Sequence, residues 1–107
     1  MHKITIGEET WTVNSVILIR DRDAQLARMY RKEVGVADTI LIPLNSQENV
    51  TEFQNRMQNG YELLCLILPD GRTKYTVNPE HLDVAEELAL TVDRRVLLEQ
   101  ANSKIVN

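Results

Sequence analysis

The sequence predicts an α+β domain: a mixed sheet of about five strands, in the order ββαβαββα, packed by helices with a long C-terminal helix. Three observations predict it. Short β-prone runs alternate with stretches whose apolar residues recur at helical spacing. Two turn sequences, Gly7-Glu8-Glu9 and Pro69-Asp70-Gly71-Arg72, each join a pair of β-prone runs. After Asn78-Pro79 the chain reads as one helix to about Asn102. A length of 107 residues fits a single domain spanning 1–107.

The elements follow in order. Lys3 to Ile6 and Thr10 to Val13 form the first hairpin, with Ile4 and Ile6 on one face and Trp11 and Val13 on another. Val16-Ile17-Leu18-Ile19 is apolar at every position, as in a strand covered on both sides, and continues the hairpin after a kink at Asn14-Ser15. Asp21 or Asp23 then caps a helix whose stripe is Leu26, Met29 and Tyr30, and Gly35 stops it. Thr39 to Leu44 is a strand in which Pro43 implies an edge or an end. Asn45 and Glu48 form a capping box before the stripe Val50, Phe53 and Met57, and Asn59-Gly60 ends that helix. Tyr61 to Leu68 and Thr73 to Val77 are the arms of the second hairpin.

On the terminal helix, placing residues at 100° intervals yields a core stripe of Leu82, Ala85, Ala89, Val92 and Val96, with Leu88 on its shoulder. A second apolar group lies away from it: Leu90, Leu97, Leu98, Ala101 and Ile105. A helix apolar on two sides is either enclosed by its own domain or shared with another molecule, so this group is the expected partner-binding surface. Arg94 interrupts the group, which keeps the enclosed arrangement open.

Composition narrows the function. With 43% hydrophobic and 26% charged residues, the chain belongs with soluble globular proteins rather than disordered ones. The one cysteine, Cys65, cannot form an intramolecular disulfide, and a buried thiol suits a reducing compartment. The longest apolar run, Leu63 to Leu68, is far short of the ~20 residues that cross a bilayer, and no apolar leader opens the chain. A cytoplasmic location with no membrane contact is the expectation. The net charge of −4 argues against general nucleic-acid binding.

No catalytic residues, metal ligands or cofactor are expected. Neither His2 nor His81 has zinc-ligand spacing to another His or Cys. A phosphate loop, nucleophile elbow or H-E-x-x-H pattern is lacking. Asp21 and Asp23 form a D-x-D pair able in principle to hold Mg²⁺, though a helix cap with solvated charges is the favoured reading of them. Arg20, Arg22, Arg28, Arg31 and Lys32 form a basic cluster whose guanidinium forks match phosphate oxygens. The leading expectation is a non-enzymatic interaction or regulatory protein, of inhibitor or accessory type, acting as a homo-oligomer or docking another protein through Leu90, Leu97, Leu98, Ala101 and Ile105. The alternative is a binder of a small anionic ligand, such as a nucleotide, at the basic helix.

Overall fold

The computed structural model describes residues 2–32 and 38–92. Within them lie six strands in two antiparallel sheets: β1 (His2–Ile6), β2 (Glu9–Val13), β3 (Ser15–Arg20), β4 (Thr39–Pro43), β5 (Tyr61–Ile67) and β6 (Thr73–Tyr75). Helix α1 is Arg22–Tyr30, α2 is Gln47–Met57, and α3 covers residues 82–92 behind a 3₁₀ turn at Pro79–His81. β1 and β2 form a two-stranded sheet, while the other four are ordered β4-β3-β5-β6. The class is α+β, but the single five-strand mixed sheet is replaced by two antiparallel ones.

Two local causes account for the difference. At Asn14 the chain leaves the hairpin plane instead of kinking within one strand. The Asn14 N–H donates to Ile67 O at 2.8 Å and its carbonyl accepts from Leu44 N at 2.9 Å, so this residue joins the outgoing ends of β4 and β5. The second cause is the return of the chain after α1 to the end it left. Arg20 N donates to Asp38 O at 3.0 Å, and β4 therefore runs antiparallel to β3. β4 and β5 do point the same way, joined by the 11 residues of α2, about 16 Å of helix. Because β3 lies between them, no parallel pair is hydrogen-bonded among the described residues.

β3 is the middle of everything. Val16 and Leu18 join one apolar cluster with the hairpin (Ile4, Val13) and α2 (Val50, Phe53). Ile17 and Ile19 face the other way, into a cluster with Leu26 of α1 and with Ala85, Leu88, Ala89 and Val92 of α3. All four β3 residues are at most 1% exposed. The expected strand covered on both sides is present. β5 does not alternate as cleanly. Ile17 is opposite Cys65 and Leu18 opposite Leu63, which leaves Leu64 as an extra residue. This β-bulge puts Leu64 and Cys65 together on the helical face while Leu63 and Leu66 face α2.

The bulge is held by Arg22. Its Nη1 donates to Leu63 O at 3.0 Å and to Thr76 O at 3.3 Å; Nη2 is 3.3 Å from Glu62 Oε2, and Nε donates to Asp23 Oδ1 at 3.0 Å. The Thr76 hydroxyl donates to the same Leu63 carbonyl. One guanidinium thus ties the start of α1 to β5 and to the end of β6.

Several sequence expectations shift at element ends and on exposed faces. Neither Asp21 nor Asp23 is a side-chain cap: Asp21 sits at the N-cap in the left-handed region, φ 50°, without a cap hydrogen bond. The Gln25 side chain instead donates to Arg20 O. Ser46, not Asn45, caps α2, its hydroxyl accepting from Asn49 N at 3.1 Å. Tyr30, Met57 and Leu82, expected in apolar stripes, are 66%, 38% and 38% exposed. Gly35 lies outside the described residues. No helix among the described residues is long and apolar enough to cross a membrane.

Two predictions arise here. Arg22→Ala removes charge-assisted hydrogen bonds from part-buried carbonyls and should lower unfolding free energy by about 1.5–3 kcal/mol. Lysine at the same position, a point charge without a fork, should restore less than half, as read from urea titration. The second concerns the β5–β6 turn. There the Arg72 N–H, and after it the Arg72 guanidinium, hold the Asp70 carboxyl below its ordinary value. A depressed carboxyl pKa contributes stability that is complete above the unfolded value of about 3.9 and is lost as pH falls through the folded one. Below about pH 4, Asp70→Asn should therefore show a shallower fall in Tm with pH than the parent.

Candidate functional site

The five basic residues of the sequence cluster are not gathered into one cradle. Arg22 and Arg20 take opposite sides of the sheet: Arg22 meets Glu62, and Arg20 lies over the ring of the preceding residue, Tyr61. Arg28, Arg31 and Lys32 are exposed at the far end of α1, with Lys32 at φ 61°. Of the D-x-D pair, Asp23 accepts from Arg22 and Asp21 is exposed at the turn. Among the described residues no three His, Cys, Asp or Glu side chains converge as a metal site. Cys65 is buried in the helical-face cluster.

The terminal helix offers the first candidate surface. Ala85, Leu88, Ala89 and Val92 are at most 6% exposed, whereas Leu90, between them in sequence, is 57% exposed. Glu86, Glu87 and Thr91 are exposed as well. The separation of the Leu90 side from the core side is therefore real at this point of the helix. Leu97, Leu98, Ala101 and Ile105 lie outside the described residues.

A second candidate lies on the opposite face of the sheet, beside α2. It is an open groove of about 500 Å³. Three elements supply its walls. Arg20 ends β3 and Tyr61 begins β5 directly opposite it in the antiparallel register. α2 contributes Glu48, Thr51, Glu52, Asn55 and Arg56, which share a helix face through i, i+3 and i+4 spacing.

Tyr61 organises the cationic end. It is 7% exposed, and both guanidinium carbons approach its ring, that of Arg20 at 4.5 Å and that of Arg56 at 5.3 Å. A desolvated aromatic face attracts cations through its quadrupole. Arg56 Nη1 also donates to Tyr61 Oη at 3.3 Å, and its Nη2 is 3.6 Å from Glu52 Oε1. Arg20 donates from Nε to Asp38 Oδ2 at 3.1 Å and from Nη1 to Asn59 O at 3.3 Å. The contact with Tyr61, and after it the one with Asp38, raises the Arg20 pKa above its ordinary value against an opposing desolvation. Arginine is charged in any case, and these contacts fix where the charge of Arg20 sits. Gly60 turns the chain into β5 at φ +90°, and a Cβ there would lie 3.5 Å from Arg20 Nη1.

The sequence suggests Tyr61 as a core or sheet-face residue, which its burial bears out, but does not show this groove. The polar face of α2 was readable as Glu48-Glu52-Arg56 beside Thr51-Asn55. Its meeting with Arg20 depends on the β3–β5 register, which no local pattern encodes.

The chain matches none of the protein families, curated proteins or solved structures with which it was compared.

The Tyr61 arrangement is open to a paired test. Tyr61→Phe keeps the ring under both guanidiniums and should cost about 0.5–1.5 kcal/mol for the lost acceptor. Tyr61→Leu also loses two cation–π contacts, worth about 0.5–1 kcal/mol each, and should be the less stable variant in chemical denaturation.

Proposed function

We propose that this protein is a non-enzymatic binding module of regulatory or accessory type, which acts by self-association through the outer side of its C-terminal helix. The observation that carries the reading is Leu90, 57% exposed on a helix whose neighbouring residues 88, 89 and 92 are already buried in the core. A single exposed aliphatic side chain is common on soluble proteins, and Leu90 gains weight as the first member of a longer apolar side of the helix that a partner would cover.

Leu90 alone is too little. Full burial of a leucine contributes about 1.5–3 kcal/mol, while association costs at least about 4 kcal/mol in lost translational and rotational freedom. The reading therefore draws on Leu97, Leu98, Ala101 and Ile105, which follow Leu90 at helical spacing in the sequence. Charge supports a second copy as the partner. α3 and the turn before it expose Glu80, Asp83, Glu86 and Glu87, while α1, packed on the same face of the sheet, exposes Arg28, Arg31 and Lys32. An isologous two-fold contact can set the acidic side of one copy against the basic side of the other. Another protein with an apolar, basic face would fit the same surface.

Size-exclusion chromatography with light scattering tests this directly. The intact chain is expected to run at twice its mass at about 100 μM and to weaken as salt screens the charged pairs. The Leu90→Glu/Leu97→Glu double variant should be a folded monomer. An intact chain that stays monomeric throughout the concentration series rules the reading out.

A further inference from the structure

The groove beside α2 is a separate matter, on the other face of the sheet from α3. Its charges are ordered along the helix. Arg56 and Arg20 share the ring of Tyr61 at one end, Glu52 lies between Asn55 and Thr51 with its carboxylate 3.6 Å from Arg56, and Glu48 stands at the start of α2. From Arg56 to Glu48 is eight residues of helix, a rise of about 12 Å.

We propose that this groove binds an extended polypeptide segment of mixed charge, with a carboxylate seated at Arg20 and Arg56 and a basic side chain about four residues away at Glu48. The spacing follows from geometry: an extended strand rises about 3.3 Å per residue, so four residues span the same distance as the helix face. Asn55 and Thr51, on either side of Glu52, supply side-chain amide and hydroxyl partners for the peptide backbone.

Three observations favour this class over a simple anion. The two guanidiniums are held in place before any ligand arrives, Arg20 by Asp38 and the Asn59 carbonyl, Arg56 by the Tyr61 hydroxyl and by Glu52, so a ligand carboxylate adds to these contacts at the remaining N–H groups of the two forks. Such preorganisation lowers the ordering cost of binding. Second, Glu48 and Glu52 line the same groove, so a phosphate or polyanion meets repulsion along most of its length. Third, the groove is open and elongated along one helix face, which suits a chain passing through it better than an enclosed small molecule.

The test uses the intact chain, isotopically labelled, titrated with three capped pentapeptides: Asp-Gly-Ala-Gly-Lys, Asp-Gly-Ala-Gly-Asp and Lys-Gly-Ala-Gly-Lys. Amide shifts at Thr51, Asn55 and Asn59 should saturate with the mixed-charge peptide at roughly tenfold lower concentration than with either control, a difference of about 1.4 kcal/mol in binding. Glu48→Lys should transfer the preference to the doubly acidic peptide, and Arg56→Gln should weaken both acidic peptides. Because the groove is remote from α3, the preference should persist in the Leu90→Glu/Leu97→Glu variant, which separates this test from that of self-association. Equal response to all three peptides, no response at millimolar concentration, tighter binding of inorganic phosphate than of any peptide, or an unchanged preference in Glu48→Lys would each overturn the proposal.

Discussion

A strand that is apolar at four successive positions cannot lie on a surface, because alternate side chains point to opposite faces and each face then needs a cover. β3 imposes that requirement on the whole chain. Val16 and Leu18 are met by the hairpin and α2; Ile17 and Ile19 are met by α1 and α3. β4 and β5 saturate its two backbone edges. The hairpin and the helices are placed by the side of β3 they cover, and β6 extends the sheet beyond β5.

Covering both sides with different elements creates a fitting problem in β5, which must serve two clusters of unequal shape. The bulge at Leu64 resolves it by giving the helical face two adjacent side chains, Leu64 and Cys65. A bulge leaves carbonyls badly placed for the ladder. Leu63 O is met instead by Arg22 and by the Thr76 hydroxyl, so the irregularity becomes an anchor for α1. The same residue that looked in sequence like part of an anion cradle is engaged by four internal acceptors. The arginine beside it in the alternation, Arg20, is directed to the other face and to Tyr61.

Much of this was legible in the residues themselves, and what was not has physical reasons. Gly7, the apolar run of β3, Pro43 and the Asp70-Gly71 turn act through local backbone chemistry, and each element they imply is present. The sheet assignment failed because a strand–helix–strand sequence reveals that β4 and β5 are parallel but not that β3 separates them. Tyr30 fits a helical stripe by spacing, yet it comes at the end of α1, beyond the cover of the sheet, where it meets His81 edge-on at 6.4 Å. Leu82 is at the corresponding end of α3. The separation of Leu90 from the core stripe was readable from helical periodicity. The groove was not, because it joins α2 to β3 and β5 through register.

The Arg22 fork also bears on the order in which the molecule assembles. It joins positions 41 and 54 residues apart along the chain, whereas the β1–β2 hairpin closes over the short Gly7-Glu8 turn. Hairpins of that kind form within microseconds, and contacts of high sequence separation must first meet the entropy of closing a long loop. The β3–β5 pairing and its bulge therefore belong to the late, rate-setting part of folding. Until β5 joins it, Val16 to Ile19 keeps one backbone edge and its apolar side chains uncovered even where β4 has already paired, an arrangement open to intermolecular pairing during synthesis.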